Sequence, residues 1–138
     1  MFKAFMVKSL LRNISAPGRP RILVADDSII ARRMVLFALQ GLDYDLIEVE
    51  NGAEALALLQ TTDIDLLITD LYMPRLDGLS LIQELRGAVR TADLPIILLT
   101  AETDAQKELA ARQAGVSLFM SKPFQPAYLA GLVQQVFA

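Results

Sequence analysis

The stretch that decides the fold places a carboxylate at the end of an apolar run: Leu66-Leu67-Ile68-Thr69-Asp70-Leu71-Tyr72-Met73-Pro74. Four apolar or β-branched residues precede Asp70, and Pro74 follows four residues later. Such a run is typical of a strand that is buried on both faces of a sheet. Because burying an unpaired carboxylate is costly, we expect other parts of the chain to supply groups that pair with Asp70.

The rest of the chain repeats this alternation of apolar runs and helical segments. Strands are predicted at residues 22–25, 46–49, 66–69, 95–100 and 116–120. Helices are predicted at residues 29–39, 53–59, 77–85, 104–114 and 126–137. Ser28 is a typical helix cap and Gly115 a typical helix stop. Continuously apolar strands that alternate with helices predict an α/β fold, doubly wound around a five-stranded parallel sheet.

The composition narrows the possible chemistry. The 138 residues are 54% hydrophobic, enough for one domain with a sizeable core. The absence of cysteine excludes disulfides, thiol catalysis and cysteine zinc sites, and the absence of histidine excludes a Ser-His-Asp triad. Carboxylates, lysine, hydroxyls and the backbone remain as the groups that can carry chemistry.

The charge is unevenly distributed along the chain. The net charge is −3, but residues 1–20 carry four of the 13 basic residues and none of the 16 acidic ones. The acidic remainder does not favour direct binding of nucleic acid, which needs a basic surface. No apolar run in the sequence approaches the length of a membrane span.

Polar side chains occur where the predicted strands end. Asp26 and Asp27 follow the first strand, Asp70 follows the third, Thr100 ends the fourth and Lys122 follows the fifth. The carboxyl ends of parallel strands lie at one edge of the sheet, where ligands bind in folds of this class. These side chains are therefore expected to converge on one site.

The predicted site has the chemistry of phosphoryl transfer. Three carboxylates repel one another, and a divalent cation relieves this repulsion; ligation by oxygen alone suits Mg²⁺. Mg²⁺, Lys122 and the Thr100 hydroxyl can neutralise charge on a transferring phosphoryl group. Asp70, on the middle strand in chain order, is the candidate nucleophile and would become an acyl phosphate.

This ordered set of motifs resembles the receiver domain of bacterial two-component response regulators, the CheY-like domain. The resemblance covers roughly residues 20 to 138 and rests on Asp26-Asp27, Asp70, Met73-Pro74, Asp77-Gly78, Thr100-Ala101 and Lys122-Pro123-Phe124. It implies a flavodoxin-like fold.

The resemblance also implies how the metal is bound. Asp27, Asp70 and the backbone carbonyl of Tyr72 would bind Mg²⁺ directly, and Asp26 would bind it largely through water. Tyr72 and Glu102 lie two residues after Asp70 and Thr100 and would tune the lifetime of the phosphoryl group. Whether Tyr72 shields the acyl phosphate or Glu102 orients an attacking water is left open.

By the same resemblance, Asp70 is the phosphoacceptor and Lys122, with a cis bond to Pro123, contacts the phosphoryl oxygens. Thr100 would move toward the phosphoryl group. Phe119 occupies the place of the switch aromatic and lacks a hydroxyl, so that any switch depends on burying or exposing its ring.

The implied function is phosphorelay signal transduction in the cytoplasm. A sensor histidine kinase or a phosphotransfer protein would donate the phosphoryl group, and the receiver would catalyse only its own phosphorylation and slower dephosphorylation. Phosphorylation would change the surface formed by the fourth helix, fifth strand and fifth helix, which a downstream target or output domain recognises. Whether the chain is a stand-alone receiver or part of a larger regulator is left open.

Two other functions compete with this interpretation. A phosphotransferase of the haloacid dehalogenase type also forms an aspartyl phosphate. That family normally has a second acid two residues after the nucleophile, where this chain has Tyr72, and the chain has no room for a cap domain. The other alternative is a binding module of the same fold that is not phosphorylated.

Residues 1–20 lie before the resemblance, which begins near residue 21 and divides the chain into segments 1–20 and 21–138. A predicted amphipathic helix places its apolar side chains on one face: Met6, Val7, Leu10, Leu11 and Ile14. Residues 15–20 form a linker rich in proline and glycine. Three roles of the helix compete, which are docking on its own receiver domain, homodimerisation and binding to a membrane surface, and a transit peptide would have a similar sequence. We favour self-docking or dimerisation over membrane contact.

Overall fold

The computed structural model of the chain describes residues 18–101 and 104–138. The predicted N-terminal helix, with the interpretations attached to it, and Glu102 lie outside the described residues.

The described residues form five strands and five α-helices in alternation. The strands are β1 (Arg21–Ala25), β2 (Asp45–Val49), β3 (Leu66–Thr69), β4 (Ile96–Thr100) and β5 (Leu118–Ser121). The helices are α1 (Ile29–Leu39), α2 (Gly52–Thr61), α3 (Gly78–Arg86), α4 (Ala105–Ala114) and α5 (Pro126–Val136), and a 3₁₀ helix (Val89–Thr91) precedes β4. All strand pairs are parallel and the strand order is β2-β1-β3-β4-β5. The predicted flavodoxin-like α/β fold is confirmed.

Short polar side chains fix where the first four helices begin. Ser28, Asn51, Asp77 and Asp104 each accept a hydrogen bond from the backbone N–H three residues further on. Such caps satisfy one of the backbone donors that have no partner within the first turn. At the other end of α4, Gly115 adopts a left-handed conformation with φ of 107° and ends the helix.

The central strands are apolar except at their ends because both faces of the sheet are covered. On β1 and β3, Leu23 and Leu67 pack in a core with residues of α2, α3 and α4. Their neighbours Ile22 and Ile68 point to the opposite face and pack with residues of α1 and α5. Since successive side chains of a strand alternate between faces, the side chains on both faces of β3 and β4 are buried, and the polar residues Thr69 and Thr100 lie at the carboxyl ends.

The edge strand β5 begins two residues later than predicted. Val116 donates its backbone N–H to the Ala111 carbonyl at 3.1 Å and so completes the end of α4. Ser117 contacts Ile96 twice, since its hydroxyl accepts from the Ile96 N–H at 2.9 Å and its own N–H donates to the Ile96 carbonyl at 2.9 Å. Both residues therefore belong to the connection that leads into β5.

Among residues 18–101 and 104–138, no helix has both the length and the apolar content needed to cross a bilayer.

Candidate functional site

The topology brings the ends of β1 and β3 together. The two strands are neighbours, and Ala25 pairs with Thr69, so that Asp26 and Asp70 follow at the same level. The Asp70 N–H donates to the Ala25 carbonyl at 3.0 Å, and the Asp26 N–H donates to the Val49 carbonyl at 3.2 Å. From here the chain passes into α1 on one face of the sheet and toward α3 on the other. The crevice between such diverging connections is where open α/β sheets bind ligands.

Three carboxylates meet in this crevice. Asp26, Asp27 and Asp70 each offer an oxygen, and the three oxygens lie within 4.8 Å of one another. Asp26 is 5% exposed, Asp70 is half-buried and Asp27 is exposed to solvent. A cluster of oxygen ligands that is open on one side fits Mg²⁺, which retains several waters and shares substrate phosphates.

Lys122 places a positive charge against two of these carboxylates. Its Nζ lies 2.6 Å from Oδ2 of Asp26 and 3.3 Å from Oδ2 of Asp70. Its backbone N–H donates to the Thr100 carbonyl at 2.9 Å, which ties it to the end of β4. The Lys122–Pro123 peptide bond is cis, as the resemblance implied.

The electrostatics of the site raise the pKa of both Asp70 and Lys122. Burial raises the pKa of Asp70, and the charge of Asp26 adds to this effect, while Lys122, the Leu71 N–H and Thr100 act in the opposite direction. Burial would lower the pKa of Lys122, but its hydrogen bonds to Asp26 and Asp70 and their charges raise it overall. The free carboxylate of Asp70 is therefore destabilised, and a second cation would relieve it.

The loop after β3 is closed by two glycines. The Gly78 N–H donates to the Leu71 carbonyl at 2.7 Å, and a Cβ at Gly78 would collide with the Asp70 carbonyl. A Cβ at Gly52, the first residue of α2, would collide with the Leu76 carbonyl in the same loop. The sequence analysis marked Asp77-Gly78 as a motif, and the structure shows that backbone contacts leave no room for a side chain at either glycine.

The structure adds one residue that the sequence analysis did not single out. Arg32 on α1 is buried, donates from Nη1 to the Asp26 carbonyl at 2.6 Å and pairs through Nε with Glu48 at 3.0 Å. It thereby fixes the backbone that carries the first carboxylate pair. The signal was its spacing, because Arg32 lies on the same helix face as the buried Val35 and Leu39.

The remaining predicted residues lie around the four charged groups. Thr100 is buried at the end of β4. Tyr72 is 47% exposed, and its ring contacts Lys107 on α4. Phe119 is half-buried and packs against the core shared by α2, α3 and α4, so its side chain does not join the carboxylate cluster.

Comparison of the sequence with known families gives a match that spans most of the chain. The model of the response regulator receiver domain matches residues 22–134. A chemotaxis protein CheY homolog of Campylobacter jejuni is 37% identical over 118 residues, which cover 84% of this chain and 91% of that protein.

Solved structures agree with this match. Chemotaxis response regulator CheY4 of Vibrio cholerae superposes with a TM-score of 0.79 at 33% identity, covering 86% of this chain and 99% of that one. The receiver domain of a sensor histidine kinase from Pseudomonas aeruginosa gives a TM-score of 0.80 at 27% identity, covering 88% and 100%. That structure has a magnesium ion coordinated in its active site cleft.

Proposed function

The chain belongs to the response regulator receiver family, and from this premise we propose that Asp70 accepts a phosphoryl group from a sensor histidine kinase or a phosphotransfer protein. Receiver domains are signalling switches, and the proposal assigns that role to residues 21–138 in a cytoplasmic phosphorelay. The observation that carries it is the position of Asp70, within 4.8 Å of two other carboxylates and 3.3 Å from the Lys122 ammonium.

Mg²⁺ fits the carboxylates that meet at this edge of the sheet. Asp27, Asp70 and the Tyr72 carbonyl would hold the ion directly, and Asp26 would hold it largely through water. Support comes from the converging oxygen ligands and from the related receiver that binds magnesium. When bound, the ion supplies positive charge that neutralises the phosphoryl oxygens.

The transfer step uses Asp70 as the nucleophile. An oxygen of its carboxylate attacks the phosphorus of a phosphohistidine, and the P–N bond breaks with its electron pair returning to the imidazole nitrogen of the donor. Lys122 then exchanges its contact with Asp70 for one with a phosphoryl oxygen, and the Thr100 hydroxyl donates to another. Because the 138 residues contain no histidine, the phosphohistidine must lie outside them.

Dephosphorylation returns Asp70 to the free carboxylate. Water attacks the acyl phosphate, the bond between phosphorus and the Asp70 oxygen breaks, and inorganic phosphate leaves with the carboxylate restored. We assign Tyr72 and Glu102 to the control of this rate. Between the two steps, Thr100 and Phe119 would pass the change to the surface formed by α4, β5 and α5, where a downstream target or output domain binds.

A protein donor has an apolar surface to bind beside the site. α1 begins two residues after Asp27 and exposes Ile29, Ile30, Met34 and Phe37. With Phe124 and Pro126 these residues line a groove of about 550 Å³. Ile30 is the most exposed of the four, at 70%. A contiguous apolar patch of this kind marks a site of protein contact.

The first experiment is intact-mass spectrometry after incubation with acetyl phosphate. We expect one added phosphoryl group in the wild type with Mg²⁺, and none without Mg²⁺ or in Asp70→Ala. If no adduct forms, Mg²⁺-dependent binding of beryllofluoride decides the matter, because it does not depend on the hydrolysis rate. Absence of both would leave a binding module that is not phosphorylated.

The second experiment separates the donor surface from the chemistry. Ile30→Lys is expected to slow transfer from a phosphorylated phosphotransfer protein at least tenfold and to leave the rate with acetyl phosphate unchanged. Leu109→Lys is the matched control, because Leu109 is also exposed but lies on α4, on the other face of the sheet. Equal slowing with both donors would show that the groove is not the donor surface.

A further inference from the structure

Lys107 lies in the first turn of α4, where the helix dipole opposes a cation and the carboxylates of Asp104 and Glu108 favour one. It is the third residue of α4, and its backbone N–H donates to the Asp104 cap at 2.8 Å. The first turn of a helix carries partial positive charge, so an ammonium there is disfavoured unless it finds a compensating contact. Its Nζ lies 4.8 Å from the centroid of the Tyr72 ring, which is within the range of a cation–π interaction.

This contact joins the two segments that flank the phosphoacceptor. Tyr72 lies two residues after Asp70, in the loop that leaves β3. Lys107 lies in the helix that follows β4 and Thr100. The contact therefore connects the loop beside the nucleophile with the first turn of α4.

The backbone beside Tyr72 is already fixed, whereas its ring is not enclosed. The Leu71 N–H donates to Oδ1 of Asp70 at 2.7 Å, and the Leu71 carbonyl accepts from Gly78. The Tyr72 side chain is nearly half exposed, so its rotamer is not decided by packing in a core. A cation placed over the ring face is a contact that can select one rotamer.

We propose that Lys107 is a positioning residue that holds the Tyr72 ring at the mouth of the site and thereby slows hydrolysis of the Asp70 acyl phosphate. The inference rests on the proposed function and deepens it. The ring restricts the approach of the water that attacks the phosphorus, and loss of the cation lets the ring leave. The same contact keeps the first turn of α4 against the loop after β3.

The ring position can be tested without any phosphoryl group. The chain has three tyrosines, Tyr44, Tyr72 and Tyr128, so protein labelled with 3-fluorotyrosine gives three ¹⁹F signals, and Tyr72→Phe assigns one of them. Lys107→Met is expected to shift the Tyr72 signal alone, and Lys107→Arg, which keeps the cation, is expected to restore it. An unchanged Tyr72 signal in Lys107→Met would overturn the proposal.

The lifetime of the acyl phosphate tests the consequence. Lys107→Met is expected to speed its hydrolysis about two- to fivefold, the range that an exposed cation–π contact supplies, and Lys107→Arg is expected to return the rate close to that of the wild type. In a Tyr72→Ala background, Lys107→Met should add no further effect. An equal effect in that background would show that Lys107 acts without the ring. Failure of the wild type both to form an adduct and to bind beryllofluoride would refute the proposed function, whereas the ¹⁹F result stands independently of it.

Discussion

Strands β3 and β5 are equally long, with four residues each, and each is followed directly by a charged residue of the site. Their surroundings differ. β3 lies between β1 and β4, and all four of its residues are buried, whereas β5 pairs with β4 at the edge and has two exposed residues. The strand that presents Asp70 is paired on both sides and fully buried, and the strand that presents Lys122 is paired on one side and partly exposed.

The difference separates a fixed part of the site from a part that moves at lower cost. Moving Asp70 would disturb the pairing of β3 with two neighbours, while moving Lys122 would disturb the pairing of β5 with β4 alone. Segments with fewer buried contacts open at lower free energy. The proposed switch through β5 therefore uses the side of the site where the fold resists motion least.

The largest expected effect comes from matched truncations of the two strands. Leu67→Ala on β3 is expected to lower the free energy of unfolding by about 2–5 kcal/mol, because Leu67 is 0% exposed and its loss leaves a cavity. Leu118→Ala on β5, where the side chain is 36% exposed, is expected to cost less than about 1 kcal/mol. Urea denaturation of both variants measures the difference. Similar losses would mean that the edge strand is as firmly held as the centre.

A smaller effect distinguishes the segments that follow the two strands. Gly78→Ala, in the segment after β3, is expected to lower the free energy of unfolding by about 1–3 kcal/mol, since its Cβ would meet the Asp70 carbonyl. A Cβ at Gly131, in the helix after β5, would have nothing within 4 Å. Gly131→Ala is therefore expected to raise the free energy of unfolding by about 0.5–1 kcal/mol. Thermal or urea unfolding reports both signs. A stabilised Gly78→Ala variant would contradict the close approach.

The smallest effect is the pH dependence of stability that Asp70 and Lys122 contribute. It is measured on protein freed of divalent metal with EDTA. Burial raises the pKa of Asp70, so its contribution to stability is present below the unfolded pKa of about 4 and is lost as the pH rises through the folded pKa. Asp70→Asn should therefore be more stable than the wild type at pH 7, with the gap closing toward pH 4. Urea denaturation across this range measures it.

The opposite sign is expected for Lys122. Its pKa is raised overall by Asp26 and Asp70, so its contribution is present below the unfolded pKa of about 10.4 and is lost only above it. Lys122→Met should be less stable than the wild type at pH 7, because it leaves the carboxylates without their ammonium. The carboxylate of Asp70 also decides the response to metal. Added Mg²⁺ should stabilise the wild type more than Asp70→Asn. If Asp70→Asn were less stable than the wild type at pH 7 without metal, pairing of Asp70 with Lys122 would outweigh the cost of burying the carboxylate.

The order of the elements was predictable because local signals agree with the fold. The apolar runs of β1 and β3, the cap Ser28 and the helix stop Gly115 mark boundaries that the structure confirms. The start of β5 was not predictable, because Val116 is apolar and β-branched like a strand residue. Only the left-handed turn at Gly115 shows that the N–H of Val116 is used to end α4.

The meeting of the acidic residues was predictable from their positions at strand ends, because parallel strands share one carboxyl edge. The sequence does not predict that Lys122 lies closer to Asp26, at 2.6 Å, than to Asp70, at 3.3 Å. Differences below one ångström depend on the packed backbone. The contact between Lys107 and Tyr72 joins residues far apart in sequence on two different connections, and no pattern in the chain pairs them.

The two glycines that enclose the loop after β3 limit how this site can diversify during evolution. A side chain at Gly52 or Gly78 would collide with the backbone of this loop beside Asp70. The outward-facing side chains of the same loop, Tyr72, Pro74 and Arg75, are exposed and can change without that conflict. Variation in signalling kinetics among descendants of this chain is therefore expected to accumulate at these three positions, while the two glycines stay constant.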